Sequence, residues 1–152
     1  MVDVVDKATR SRMMSGIRSK DTKPERIIRS LLHRMGYRFR LHSSRVPGHP
    51  DILLPKYRAA IHIHGCFWHG HDCGLYRLPG TRSKFWKEKI TKNRGRDLRV
   101  VAATLAIQWR HLTIWECAFR GNRQIGLDKT IERVCKWIES SRKYATIRSR
   151  SG

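Results

Sequence analysis

Asp51-Ile52-Leu53-Leu54-Pro55-Lys56-Tyr57-Arg58-Ala59-Ala60-Ile61-His62-Ile63-His64 holds two short apolar runs separated by a turn. Runs of this length, bounded by proline, read as strands rather than helices. Upstream, Tyr37-Arg38-Phe39-Arg40-Leu41 alternates like a half-buried strand, and Pro47-Gly48-His49-Pro50 is a turn. A helix precedes it: Thr22-Lys23-Pro24-Glu25 fits a capping box, Ile28, Leu31, Leu32 and Met35 form its apolar stripe, and Gly36 is its stop. Downstream, residues 83–105 read as a helix that Gly95 could interrupt, and Leu112-Thr113-Ile114-Trp115 as a strand buried on both faces. Asp128 is placed to cap a last helix with the stripe Ile131, Val134, Cys135 and Ile138. Helix, three strands, helix, strand, helix predicts an α/β fold, a mixed central sheet flanked by helices. The expected divisions are a basic arm over residues 1–21, a domain over 22–141, and a basic, flexible tail over 142–152.

The chain has 152 residues, enough for one domain with a sizeable core. Its 33 Lys and Arg against 12 Asp and Glu give a formal charge of +21. Such an excess opposes compaction by self-repulsion unless a polyanion is bound, so nucleic acid is the expected partner. Lys7, Arg10 and Arg12, together with Arg18 and Lys20, make the arm a candidate phosphate grip. No long apolar run or basic amphipathic helix points to a membrane. Residues 1–20 lack the apolar core of a signal peptide, so the expectation is an intracellular protein whose four cysteines ligate metal or stay free.

The segment from His62 to Gly74 contains four of the eight histidines and two of the four cysteines. Thiolate and imidazole are zinc ligands, and a structural site takes four of them in a tetrahedron. Cys66, Cys73 and Cys117 with one histidine would close such a site. His71 is the better fourth ligand, because it shares a short loop with Cys73 and leaves His69 free. The irregular spacing matches no common zinc finger. Cys135, on a helical stripe, reads as a small core residue.

Asp51 stands out in a chain with few acids. Nucleases of restriction-enzyme type start one strand with Pro-Asp and carry Asp/Glu-x-Lys on the next; their carboxylates hold Mg²⁺ for phosphodiester hydrolysis. Here the next strand offers His62-Ile63-His64, so the second acid and the lysine are both missing. His64 can stand in as general base, and Ile63 can lend a backbone carbonyl to the metal. Glu25 has a plain alternative as a capping-box residue, and Asp97 as a partner for nearby arginines. Among the aromatics, Trp109, Trp115 and Trp137 fall in core patterns. Phe67-Trp68, beside metal ligands, and Trp86, among Lys84, Lys87 and Lys89, are better placed to meet bases.

Taken together, these residues resemble the very-short-patch (Vsr) mismatch endonucleases over nearly the whole chain. The resemblance is carried by Asp6-Lys7-Ala8-Thr9-Arg10-Ser11, Pro47-Gly48-His49-Pro50-Asp51, His64-Gly65-Cys66-Phe67-Trp68-His69, Thr81-Arg82-Ser83-Lys84-Phe85-Trp86 and Trp115-Glu116-Cys117-Ala118. It implies a restriction-endonuclease-like core with a structural zinc site, and an enzyme that nicks DNA beside the thymine of a T·G mismatch left by deaminated 5-methylcytosine. It further implies that Asp51 and the Ile63 carbonyl bind Mg²⁺, and that His69 activates or orients the attacking water. Glu25, His64 and Asp97 support the site, and Cys66, His71, Cys73 and Cys117 hold Zn²⁺. Phe67, Trp68 and Trp86 would wedge into the duplex while Lys7, Arg10, Arg12 and Lys89 hold it. A monomer in the bacterial cytoplasm, associated with the nucleoid, is expected, linked in function to a cytosine-5 DNA methyltransferase and a repair polymerase. Positions 62, 63 and 70 depart from the family pattern, with histidine, isoleucine and glycine. Two other readings share part of this pattern: a Vsr-like homing or restriction nuclease, and a non-catalytic zinc DNA-binding protein.

Overall fold

The computed structural model describes residues 22–150, so the arm with Lys7, Arg10 and Arg12 lies outside the described residues. Helix α1 spans Lys23–Arg34, and its Thr22 cap accepts a hydrogen bond from the Glu25 backbone N–H at 3.4 Å, as the capping pattern predicts. Strand β1 (Arg40–Leu41) is only the end of the expected alternating run. Strands β2 (Ile52–Leu54) and β3 (Ala59–His64) are joined by the short 3-10 turn Pro55–Tyr57, and pair antiparallel with Ile52 opposite Ile61.

Helix α2 runs unbroken over Ser83–Ala106, straight through Gly95. One glycine costs a helix interior about 1 kcal/mol, too little to end an element packed along the sheet. Strand β4 covers Arg110–Trp115, and helix α3 covers Leu127–Glu139. The cap of α3 is Gly126 at φ 94, whereas Asp128 sits in the first turn, facing the positive end of the helix dipole.

The tail contradicts its expectation over residues 144–147, which form strand β5 (Tyr144–Ile147). β5 pairs parallel with β4, with Ile114 opposite Ile147, and so covers an edge that would otherwise leave backbone groups unpaired. Arg110 fastens the approach to it. Its guanidinium donates to the carbonyls of Trp137 (2.5 Å), Ile138 (3.0 Å) and Arg142 (3.0 Å), capping α3 and holding the connection to β5.

The sheet order is β1-β2-β3-β4-β5, antiparallel as far as β3 and parallel from β3 to β5. Alternation along β3 and β4 then divides the molecule. Ile61, Ile63, Leu112 and Ile114 join Ile28 and Leu32 of α1 and Ile131, Val134, Trp137 and Ile138 of α3 in the main core. The intervening His62, His64 and His111 point to the other face, beneath α2. The same period of two that builds the core therefore delivers imidazoles to the opposite side. Gly48 and Gly70 let loops approach α2 closely. At positive φ, a Cβ on either would lie 2.5 Å from Val100 or 2.4 Å from Ile90, which accounts for glycine at position 70.

Candidate active site and metal centre

A cavity of about 560 Å³ opens under α2 at the end of the sheet where β2 begins and β3 ends. Asp51 enters it from the start of β2, its Oδ2 accepting the Ile63 backbone N–H at 2.6 Å. Glu25, from the first turn of α1, is 4 % exposed and faces the same space. His42 bridges the two carboxylates, 3.5 Å from Glu25 and 3.8 Å from Asp51. Burial, reinforced by the Glu25 carboxylate and opposed by the Ile63 N–H, pushes the Asp51 carboxyl up to about 7. Two acids kept close in a poorly solvated space resist joint ionisation, and a cation between them removes that resistance. The donor atoms of Glu25, His42 and Asp51 lie within 4.8 Å of one another, and the two carboxylates are the oxygen donors a hard divalent ion takes.

The histidines form the cavity's other wall. His64 and His69 stack at 3.8 Å with rings 3° from parallel, and His69 Nδ1 lies 2.5 Å from Asp97 Oδ2 on α2. The contact with Asp97 engages Nδ1 of His69, so Nε2 is the ring nitrogen left to face the cavity. Atoms of His64, His69 and Asp97 also come within 4.8 Å of one another. Parallel stacked rings cannot both aim an in-plane lone pair at one ion, so this trio suits proton handling better than metal binding. Burial is the main cause that holds His64 well below its ordinary range, and neighbouring imidazoles and Arg96 add to it. Deeper in the cavity, His62 stacks on His111 at 4.8 Å, and burial lowers them to about 3 and about 4.

Beyond the end of β3, Cys66, His71, Cys73 and Cys117 bring four soft donors within 4.8 Å of one another. None of the four cysteines is in a disulfide. Burial, with the neighbouring Cys117 and Cys73 thiols adding to it, pushes the Cys66 thiol up. Cys117 Sγ lies 3.5 Å from His71 Nδ1 and accepts the Ser149 N–H at 3.3 Å. His71 Nε2 faces Asp72 at 3.5 Å, a carboxylate–histidine arrangement that orients a ligating imidazole. The set fits a closed tetrahedral site. Trp115 is half-buried rather than core: it stacks on His71 at 3.9 Å and turns its edge to His64 at 5.1 Å, walling one site from the other. Cys135 has the plain role expected of it, packed beside Met35.

Phe67, Trp68 and His69 lie on the loop between Cys66 and His71. Phe67 and Trp68 are half-buried and rest on Trp86, with ring centroids at 5.4 and 5.7 Å. Trp86 itself is 7 % exposed, so it backs the pair instead of standing free beside it. Asn93 Nδ2 donates to the Trp68 carbonyl at 2.8 Å, and Lys89 is exposed alongside. Three ionisable residues of the candidate cavity escape the sequence reading: His42, His111 and Arg96. Only distance in the fold brings them in, and no local motif marks them.

A mixed sheet with buried carboxylates and stacked histidines at one end, beneath a long basic helix, defines a restriction-endonuclease-like protein. Residues 2–75 match the family described as "DNA mismatch endonuclease Vsr". The chain is 45 % identical over 138 residues to the DNA mismatch endonuclease Vsr of Escherichia coli, covering 91 % of this chain and 88 % of that protein. It is 48 % identical over 117 residues to the type II nicking enzyme V.XorIIP of Xanthomonas oryzae, 77 % of this chain and 86 % of the relative. V.NmeAIP, a type II nicking enzyme of Neisseria meningitidis, is 41 % identical over 120 residues, 79 % of this chain and 86 % of its own length. The chain belongs to the Vsr family of DNA mismatch endonucleases. No helix among the described residues is long and apolar enough to cross a membrane.

Proposed function

We propose that the protein nicks one strand of duplex DNA beside the thymine of a T·G mismatch. One observation carries the reading: the aromatic pair Phe67-Trp68 and the candidate base His69 share a loop whose two ends, Cys66 and His71, are candidate ligands of one metal centre. A wedge that tests base pairing is thereby fixed in register with the group that prepares the water. Partial unstacking costs a few kcal/mol per step, and a wobble pair concedes part of this at the outset.

In this reading Cys66, His71, Cys73 and Cys117 hold Zn²⁺, which leaves no open coordination position and serves structure. Asp51 and the Ile63 carbonyl hold Mg²⁺, with Glu25 beside them; the ion supplies charge stabilisation at the phosphoryl group and leaving oxygen. His69 takes the proton of the attacking water at Nε2, oriented by Asp97 and by the stacked, neutral His64. Phe67 and Trp68 enter the duplex with Trp86 behind them, and Lys89 with the arm residues Lys7, Arg10 and Arg12 grips phosphates. Such contacts supply affinity without sequence discrimination, so selectivity rests on the wedge. The protein acts as a monomer and serves DNA methylated by a cytosine-5 methyltransferase.

The test compares single-strand nicking of T·G-mismatched and fully paired duplexes of identical sequence, with and without Mg²⁺. Nicking confined to the mismatched duplex and dependent on the ion is expected. Equal cleavage of both duplexes would instead indicate a site-specific nuclease, and no cleavage of either would remove the enzymatic reading. Asp51→Ala should bind the mismatched duplex and fail to nick it.

A further inference from the structure

We propose that Arg96 is the phosphate-binding cation of this active site, taking the non-bridging oxygens of the scissile phosphate and supplying the charge that a lysine provides on the second strand of restriction-type nucleases. The inference rests on the nuclease reading above and adds a catalytic residue to it. Among the described residues, a single Lys or Arg lines the catalytic cavity, Arg96, against the three carboxylates Glu25, Asp51 and Asp97. The strand that would carry the lysine carries His62-Ile63-His64 instead. No other described group in that cavity brings a permanent positive charge.

The placement matches the task. Arg96 is exposed, and it also lines a second cavity of about 670 Å³ that reaches the wedge past Trp68, Lys89 and Asn93. Glu25, Ile63 and His69 are the other residues common to both cavities, so Arg96 stands where the two meet. Trp86, Lys89, Asn93, Arg96 and Val100 follow one another on α2 at spacings of three and four, which puts them along one face. At 1.5 Å per residue, Trp86 and Arg96 are roughly 15 Å apart along the helix. The neighbouring acid is already engaged: Asp97 pairs with His69, and no carboxylate among the described residues pairs with Arg96. Its planar fork therefore remains available for two phosphate oxygens, whose charge grows as the phosphorus is attacked.

The experiment uses full-length protein, Arg96→Ala and Arg96→Lys with a T·G-mismatched duplex, and the same duplex bearing either phosphorothioate diastereomer at the scissile position. Single-turnover nicking is measured at saturating Mg²⁺, binding is measured without Mg²⁺, and circular dichroism checks folding. Arg96→Ala should nick about 10²–10³-fold more slowly, the usual loss of one transition-state charge donor. Its affinity should fall less than tenfold, and Arg96→Lys should recover part of the rate. The wild type should disfavour one diastereomer, and Arg96→Ala should lose that preference. A wild-type rate in Arg96→Ala would overturn the inference, as would a rate loss matched by affinity with the diastereomer preference unchanged. Failure of the wild type itself to nick would strike the nuclease reading instead, so the two failures are distinguishable.

Discussion

Asp51→Asn should make the protein more stable while abolishing nicking, and the gain should grow with pH. The Asp51 carboxyl is raised from its ordinary 3.8 to about 7, by burial first and by the Glu25 carboxylate second. The folded chain therefore keeps a proton that the unfolded chain releases. The penalty for ionising in place is absent below about pH 4, builds as pH rises toward 7, and is constant above it. The interval from 3.8 to about 7 spans roughly three pH units, each about 1.4 kcal/mol, so the full penalty approaches about 4 kcal/mol. Asparagine never ionises, its amide oxygen can still accept the Ile63 N–H, and its amide group can donate toward Glu25. The advantage of Asp51→Asn over wild type should thus widen by about 2–3 kcal/mol between roughly pH 5 and pH 8. That corresponds to roughly 5–10 °C in Tm for a chain of this size. The assay is thermal unfolding followed by far-ultraviolet circular dichroism, without added divalent cation; beginning near pH 5 avoids protonating the soft-metal ligands. Added Mg²⁺ should raise the wild-type Tm at pH 8 and leave Asp51→Asn nearly unmoved. A stability difference that is flat with pH, or a variant less stable than wild type at pH 8, would show that the paired carboxylates store no such strain.

The soft-donor cluster should behave as a folding element: Cys117→Ala should purify with less than one equivalent of zinc by metal analysis and melt well below wild type, whereas full zinc content would exclude Cys117 as a ligand. Trp68→Ala should lose its preference for mismatched over paired duplex while the salt dependence of binding stays near wild type; paired titrations at several salt concentrations check this, and a retained preference would displace the wedge. Ile147→Ala, at a site 5 % exposed against Ile114, should cost about 2–5 kcal/mol in urea unfolding. A cost near zero would return residues 144–147 to a loose tail.

Local signals marked the helices and inner strands because their causes are local. A hydroxyl three residues before an N–H caps α1, and apolar spacing of two or of three and four sets which face is buried. The same locality made Asp51, His64, His69 and the Cys66–Cys73 cluster visible, since each sits in or beside a strand or loop whose residue types are unusual. Where the competing influence was tertiary, the reading missed. Tyr144-Ala145-Thr146-Ile147 carries little apolar pattern within a basic stretch, and becomes a strand because the edge of β4 needs partners and Arg110 holds the connection in place. Gly95 does not break its helix, because packing along the sheet outweighs one residue's propensity. Trp86, placed for bases by its lysine neighbours, is instead buried beneath Phe67 and Trp68. His42, His111 and Arg96 carry no motif at all; separate elements bring them to one cavity, 54 positions apart between His42 and Arg96. Sequence alone determined the periodicities, caps and family-bearing motifs, since these depend on near neighbours. Which charges meet across the cavity was decided only when the sheet and α2 packed, because that convergence depends on the placement of elements far apart in the chain.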